Sequence, residues 1–132
     1  VYVHFNKKVG SMVQIETDSD KTAQSEAIKQ AAADFAMHIT AIKPIALDPS
    51  SLDPQIVEKE KAIYAEQVKN KPAAVVEKIV DGKLKKFYSD YCLILQPFVK
   101  DDTKSVEQVL AEAAKQAGGK ATIKQFVRLE VG

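Results

Sequence analysis

The sequence predicts an α+β fold: a small antiparallel β-sheet with helices packed on one face and a protruding antiparallel helical hairpin. Three observations support this prediction. Apolar and polar residues alternate with a period of two at both ends of the 132-residue chain, which is typical of half-buried strands. Apolar residues recur at helical spacing between those ends. In the middle, two helical stretches are separated only by a short break that contains a proline, which predicts an αα-hairpin.

The first fifteen residues are predicted to form a β-hairpin. Residues 1–5, including Phe5, alternate in polarity, and so do residues 9–15. Asn6-Lys7-Lys8 lies between them as a polar tip, and asparagine is a good turn former. We therefore expect two short strands at the start of the chain.

A helix is predicted from Thr22 to just before Pro44, because proline disfavours a helical residue in front of it. Residues 44–53 contain two prolines and two serines, which predicts a loop. The apolar positions of the helix are Ile28, Phe35, Ile39 and Ile42.

The helical hairpin is predicted to cover about residues 54–91. Asp53-Pro54 is a strong start signal, because it provides an N-cap followed by proline at the first helical position. The first helix should reach about Lys69 and the second should run from Ala73 to about Tyr91. Because the first helix is strongly charged and has a thin apolar stripe, we expect the hairpin to project from the body.

The C-terminal third is predicted to contain an extended segment, a short helix and a strand. Pro97 interrupts the apolar stretch from Leu93 to Val99, so we expect extended packing there and not a central strand. Ser105 is predicted to cap a helix that ends at Gly118-Gly119. A closing strand is predicted from one alternating series: Ala121, Ile123, Gln125, Val127, Leu129 and Val131.

The charge balance argues against two classes of partner. Nineteen basic and eighteen acidic side chains leave a net charge of +1, so neither direct nucleic-acid binding nor a membrane partner is expected. No apolar run approaches the roughly 20 residues of a membrane span, and no signal-peptide pattern is present. We expect a cytoplasmic location. Because the chain does not start with Met, we expect Val1 to follow a cut within a longer protein.

Catalytic chemistry has little support in the sequence. Cys92 with His4 or His38 is a conceivable nucleophile and base, but a buried unreactive thiol and a core or boundary histidine are favoured. The two histidines have no cysteine or glutamate at metal-ligand spacing. We therefore expect no catalytic residue, no metal, no cofactor and no enzyme activity, and favour a domain that binds a macromolecule.

Several segments contain specific residue combinations, which are more informative than the spacing of apolar residues alone. They are residues 2–10, 36–39, 57–60, 77–87, 95–101 and 126–132, and the most specific is Gln96-Pro97-Phe98-Val99. In this order they resemble the core, or dimerisation, domain of bacterial elongation factor Ts over essentially the whole chain. By this resemblance, residues 1–132 are the core domain, with the helical hairpin inserted. The small helical module that precedes the core in this family is outside the chain.

The resemblance implies a function by binding. The family is the guanine-nucleotide exchange factor for elongation factor Tu, so the domain is expected to bind that GTPase and to promote GDP release. Without the preceding helical module, which docks on the G domain, the 132 residues are expected to exchange nucleotide poorly. The alternative is a dimerisation or scaffold module that does not itself drive exchange. Self-association through sheet faces stays open, as does whether the full protein has one repeat or two.

The resemblance also gives candidate partner-binding residues: His4, Asn6, Gly10, Asp18 and Ser19. His4 matches a family position near the distal β-domain of the GTPase, and a plain surface histidine is an equal alternative. Many members continue the second strand with Thr-Asp-Phe-Val, whose aromatic ring wedges into the partner. Here Thr17 and Asp18 fit that motif, but Ser19-Asp20 replaces Phe-Val, and serine cannot supply an apolar wedge.

Glu16, Asp18 and Asp20 form an acidic cluster, for which helix capping is favoured over acid–base chemistry in a cleft.

Some family cores are joined by a cysteine in the final strand, but this region contains Phe126-Val127-Arg128. A disulfide-linked dimer is therefore not expected.

Overall fold

The computed structural model describes residues 1–4 and 6–131. Phe5, predicted in the first strand, and Gly132, part of the C-terminal motif, lie outside the described residues. In chain order the elements are β1 (Tyr2–Val3), β2 (Val9–Thr17), α1 (Asp20–Ala23), α2 (Glu26–Ile42), a 3₁₀ turn (Pro49–Ser51), α3 (Pro54–Gln67), α4 (Ala73–Tyr91), a second 3₁₀ turn (Leu93–Leu95), β3 (Pro97–Phe98), β4 (Asp101–Ser105), α5 (Val106–Ala117) and β5 (Ala121–Glu130).

A three-stranded antiparallel sheet in the order β1-β2-β5 forms one layer of the fold. Helices α2 and α5 form the other layer, and α2 packs against both α5 and β2. The Ser11 hydroxyl on β2 donates to the Ala36 carbonyl on α2 and accepts from the Thr40 hydroxyl at 2.9 Å. These small polar side chains let the helix lie close to the strand. The α+β prediction is confirmed.

The core lies between these two layers. Phe35 and Ile39 of α2 are fully buried, together with Val106 of α5. Phe98 packs its ring edge-on against Phe35, with the ring centroids 5.8 Å apart. Aromatic pairs favour this edge-to-face arrangement.

A β-bulge in β5 corrects the prediction of one alternating series. Gln14 lies opposite Gln125 and Ile15 lies opposite Ile123, so Lys124 has no partner on β2. One extra residue on a strand exchanges its two faces from that point on. Ile123 is therefore buried in the core, whereas Val127 and Leu129 lie exposed.

The predicted helix from Thr22 is two helices. Ser19 caps α1 by accepting the Thr22 backbone N–H at 3.2 Å, and the Ser25 N–H bonds back to the Thr22 carbonyl at 3.1 Å. The chain therefore turns before α2 begins. The end of α2 is as predicted: Lys43 has a left-handed φ of 60°, and Pro44 follows.

The predicted antiparallel helical hairpin is confirmed, and α3 packs mainly on α4. Asp53 caps α3 by accepting the Gln55 N–H at 2.9 Å. The helices are antiparallel: Val57, near the start of α3, packs in the same cluster as Phe87, near the end of α4. No residue of α3, which is described in full, is buried. Helix α3 is therefore held by its packing on α4 and by the contacts at the base of the hairpin.

A second small core holds the base of the hairpin. Ala46, Leu52, Phe87 and Cys92 are buried there. The Leu93 N–H donates to the Ala46 carbonyl at 2.8 Å, so the loop of residues 44–53 is bonded to the end of α4.

The extended segment predicted over Leu93 to Val99 is wrong in part. Leu93–Leu95 is a 3₁₀ turn, and Pro97–Phe98 is a short strand paired with Asp101–Ser105, which was not predicted. Proline is tolerated there because it occupies the first position of a strand.

Helix α5 has the predicted ends. Ser105 and Gln108 form a reciprocal capping box, and Gly118 ends the helix with a φ of 74°. Glycine adopts this left-handed conformation without a Cβ penalty.

Candidate partner-binding site

His4 lies beside Tyr2 at the end of the sheet. The Tyr2 hydroxyl and Nδ1 of His4 are 3.1 Å apart, and the two ring centroids are separated by 6.2 Å. Side chains two positions apart on a strand point to the same face, which explains the pairing. Both residues are half-buried, so the rings are held in place while part of each faces solvent.

A groove of about 440 Å³ opens next to this pair. Its walls come from β1, the start of β2, the last turns of α2 and the end of β5. The residues that line it are Tyr2, His4, Val9, Met37, Thr40, Ala41, Lys43, Arg128 and Glu130. The groove therefore combines apolar side chains with cationic and acidic groups, a composition typical of protein–protein contacts.

Arg128 connects two walls of the groove. Its Nε donates to the Thr40 carbonyl at 3.3 Å, and its Nη1 lies 3.2 Å from a carboxylate oxygen of Glu130. A cation at the last turn of a helix is favourable, because the carbonyls there lack intrahelical partners. Arg128 thus fixes β5 to the end of α2. Sequence analysis missed it because the bulge at Lys124 changes the face to which residue 128 points.

Asn6 and Gly10 shape the hairpin that carries His4. The side-chain oxygen of Asn6 accepts the Lys8 N–H at 2.9 Å and closes the tip. Gly10 lies opposite Val3, and a Cβ at this position would be 3.3 Å from the Tyr2 carbonyl oxygen. Glycine here permits a close approach of β1 to β2.

Asp18 and Ser19 lie at the other end of β2. Gly10 and Asp18 are eight positions apart along extended backbone, which at about 3.3 Å per position is a distance of about 26 Å. The five candidate residues therefore form two separate clusters. One is the hairpin with its groove, and the other is the loop between β2 and α1.

The loop cluster is occupied with local interactions. Ser19 is the N-cap of α1, and its hydroxyl also lies 3.0 Å from the Thr22 hydroxyl. The Lys120 backbone N–H and then the Thr22 hydroxyl hold the pKa of Asp18 below its usual value. Ser19 therefore provides the cap of α1, and Asp18 is engaged in local hydrogen bonds beside it.

Cys92 and His38 are not arranged as a nucleophile and base. Cys92 is fully buried, and burial, with a smaller contribution from the charge of Asp48, raises its pKa to about 11. His38 is also fully buried and uses both ring nitrogens: Nε2 lies 2.9 Å from Oε1 of Gln96, and Nδ1 accepts the Val99 N–H at 3.1 Å. The reactive thiolate form of Cys92 is therefore suppressed.

Over residues 1–4 and 6–131, no group of three or more His, Cys, Asp or Glu side chains could hold a metal ion. Within the same residues, no helix has the length and apolar character needed to cross a membrane.

The outer face of the sheet is apolar and exposed. Met12 lies opposite Val127, and Gly10 lies between Val3 and Leu129, so these side chains share one face. Leu129 is 70% exposed and Val3 is 60% exposed. They line a shallow groove of about 200 Å³ on the side away from α2 and α5. Contiguous exposed apolar surface of this kind marks interaction sites.

The fold and these surfaces define a small α+β domain with a projecting helical hairpin and surfaces suited to binding other proteins. The comparisons with known proteins make the assignment specific. The profile of the family described as Elongation factor TS matches residues 1–132. The chain therefore belongs to the elongation factor Ts family, a family of translation elongation factors.

Curated relatives agree with this membership. The chain is 38% identical over 133 residues to elongation factor Ts of Oleidesulfovibrio alaskensis, covering 99% of the chain and 67% of that relative. It is 41% identical over 133 residues to the Koribacter versatilis protein of the same name, covering 99% of the chain and 61% of the relative. It is 46% identical over 134 residues to elongation factor Ts of Nautilia profundicola, covering 99% of the chain and 43% of that relative. The chain thus spans about two fifths to two thirds of the length of these relatives.

Proposed function

We propose that this chain contributes to guanine-nucleotide exchange on elongation factor Tu by binding the GTPase and favouring GDP release. The observation that carries the proposal is the match to the elongation factor Ts family over all 132 residues. The groove beside His4 supports it, because it provides ordered aromatic, cationic and acidic groups at an accessible end of the sheet. As a translation factor, the protein would act in the cytoplasm.

The mechanism is differential binding. An exchange factor accelerates GDP release by binding the nucleotide-free GTPase more tightly than the GDP-bound GTPase, without making or breaking a covalent bond. By thermodynamic reciprocity, GDP and GTP weaken the affinity of the exchange factor by the same ratio. A rigid binding surface serves this mechanism, because a flexible one would fit both forms of the partner.

We assign the two clusters of candidate residues different weights. His4 is proposed to contact the partner, with Asn6 and Gly10 shaping the hairpin that presents it. Asp18 and Ser19 are the weaker candidates, because their polar atoms are used around α1 and neither is an apolar wedge. We also retain the proposal that residues 1–132 are the core domain and that a separate partner-docking module precedes it.

Binding measurements test the proposal directly. Isothermal titration of the chain into elongation factor Tu should give a tighter Kd for the nucleotide-free GTPase than for the GDP-bound GTPase. The His4→Ala variant should weaken binding to the nucleotide-free form, and Gln14→Ala, on the outer sheet face, is the matched control. Equal affinity for the two forms would contradict the exchange mechanism.

Self-association is the second candidate function, in which the chain is a dimerisation or scaffold module. The observation that favours it is the exposed apolar face of Val3, Met12, Val127 and Leu129. Sedimentation equilibrium should show a dimer that the Met12→Glu and Leu129→Glu changes convert to a monomer. Ile63→Glu, at an isoleucine of the hairpin that is 43% exposed, is the control and should leave the dimer intact. A monomer at all concentrations would contradict this candidate.

A further inference from the structure

A separate cleft of about 340 Å³ lies between the loop of residues 44–53, α5 and the start of β5. Its floor is apolar. Leu110 and Ile123 belong to the main core, and Leu47 and Ile94 pack against that core while remaining half-exposed. At this cleft Leu110 and Ile123 are buried, and the apolar surface partly open to solvent is that of Leu47 and Ile94.

Two carboxylates flank the apolar floor. Asp48 lines the cleft, and one of its oxygens accepts from the Ser50 hydroxyl at 2.6 Å and from the Ser51 N–H at 2.9 Å. The serine hydroxyls lower the pKa of Asp48 and keep it ionised. Glu107 lines the cleft from the first turn of α5, where the helix dipole favours a negative charge.

Among the ion pairs of residues 1–4 and 6–131, none includes Asp48 or Glu107. The cleft thus presents two uncompensated negative charges beside apolar surface. Its chemical complement is a positive charge attached to an aliphatic stem.

We propose that this cleft docks a segment of a partner protein that carries lysine or arginine next to an aliphatic side chain. Lysine and arginine bury their methylene stems against apolar surface while their charged ends stay in water. In the cleft, the stem would cover Leu47 and Ile94, and the charged end would lie between Asp48 and Glu107. Complementary charge at such a rim improves specificity and the association rate. The proposal does not depend on the exchange function, because the cleft shares no residue with the His4 groove.

The test uses the full chain labelled with ¹⁵N and a blocked pentapeptide, acetyl-Ala-Leu-Lys-Leu-Ala-amide. Titration should move the amide resonances of residues 47, 111 and 122 saturably. The same peptide with glutamate in place of lysine should bind at least about tenfold more weakly, because like charges would meet at the rim. Acetyl-Ala-Ser-Lys-Ser-Ala-amide should also bind more weakly, since it lacks the aliphatic contacts.

Paired variants separate this site from a general charge effect. The double change Asp48→Asn with Glu107→Gln removes both charges and keeps an acceptor for the serines. It should weaken binding of the lysine peptide several-fold. Glu77→Gln with Asp81→Asn changes the net charge equally on the exposed surface of α4 and should leave the Kd unchanged. The proposal is overturned if the cleft resonances do not move, if the glutamate peptide binds equally, or if both double variants weaken binding to the same extent.

Discussion

The backbone N–H of Val99 donates a hydrogen bond to Nδ1 of His38 at 3.1 Å. Nδ1 must therefore be unprotonated, and the proton of the neutral ring lies on Nε2, which donates to Oε1 of Gln96 at 2.9 Å. The other end of the Gln96 amide donates to the Asp90 carbonyl at 2.8 Å. This buried chain of hydrogen bonds joins α2 to the β3–β4 turn and to the end of the helical hairpin.

Stability should fall in mildly acidic solution because His38 is held neutral. Burial lowers its pKa, and the bond to Gln96 opposes this only in part. Below the ordinary histidine pKa of about 6.5, the unfolded chain takes up a proton that the folded chain does not. The stability that neutral His38 contributes to the folded state is therefore fully present above about pH 6.5 and is lost as the pH falls towards the lowered pKa of His38. Urea unfolding between pH 5.5 and 8 measures it.

His4 provides the control for this pH dependence. The His38→Gln variant should lose much of the change in the free energy of unfolding between pH 5.5 and 8, and the His4→Gln variant should retain it. An unchanged pH dependence in His38→Gln would contradict the assignment.

Gly119→Ala should destabilise the fold. A Cβ at Gly119 would overlap the Thr22 hydroxyl and lie 2.7 Å from an Asp18 carboxylate oxygen, and Thr22 is buried. Forced overlap of this kind typically costs about 1–3 kcal/mol in the free energy of unfolding. Gly82→Ala in α4 is the matched control, because its Cβ meets nothing within 4 Å and alanine should stabilise the helix by about 0.5–1 kcal/mol. Denaturant unfolding that ranked the two variants in the opposite order would be inconsistent with this packing.

Ser105→Ala should lower stability by about 1 kcal/mol, since it removes the serine oxygen of the capping box at the start of α5. Ser25→Ala is the comparison, because Ser25 stands at the N-cap of α2 but its side chain makes no capping hydrogen bond. Its free energy of unfolding should change much less. Equal losses in the two variants would show that the Ser105 hydroxyl is not the cause.

Cys92 should resist alkylation in the native state. It is fully buried with a pKa of about 11, so little thiolate is present at pH 8 and the sulfur is inaccessible. Mass spectrometry after iodoacetamide treatment should show modification only when denaturant is added. Rapid modification without denaturant would contradict the burial of this thiol.

Sequence reasoning succeeded where the structure is determined locally. Asp53, Ser105 and Gly118 act at helix ends through hydrogen bonds and backbone conformations that involve only nearby residues. It failed where the structure depends on pairing between distant residues. The bulge at Lys124 becomes visible only once β5 is aligned with β2, and β4 exists because Ser105 pairs with Pro97.

In the candidate site, too, features set by neighbouring residues were predictable and features set by distant packing were not. The predicted alternation of residues 1–5 places Tyr2 and His4 on one strand face, and the Tyr2 hydroxyl lies 3.1 Å from Nδ1 of His4. Lys43 and Arg128 joined the groove through the packing of α2 against the sheet, for which the sequence carries no local signal. Asp18 is close to Gly10 in sequence, yet an extended strand separates them.

Release of a fluorescent GDP from elongation factor Tu, followed by stopped flow, tests the central claim most directly. The chain would be titrated in alone and then with the preceding helical module that is expected in this family. We predict acceleration that is strong with the module, weak without it, and reduced by His4→Ala but not by Gln14→Ala. If neither form accelerated release or bound the GTPase, the exchange function would be contradicted and a dimerisation scaffold would be the better account.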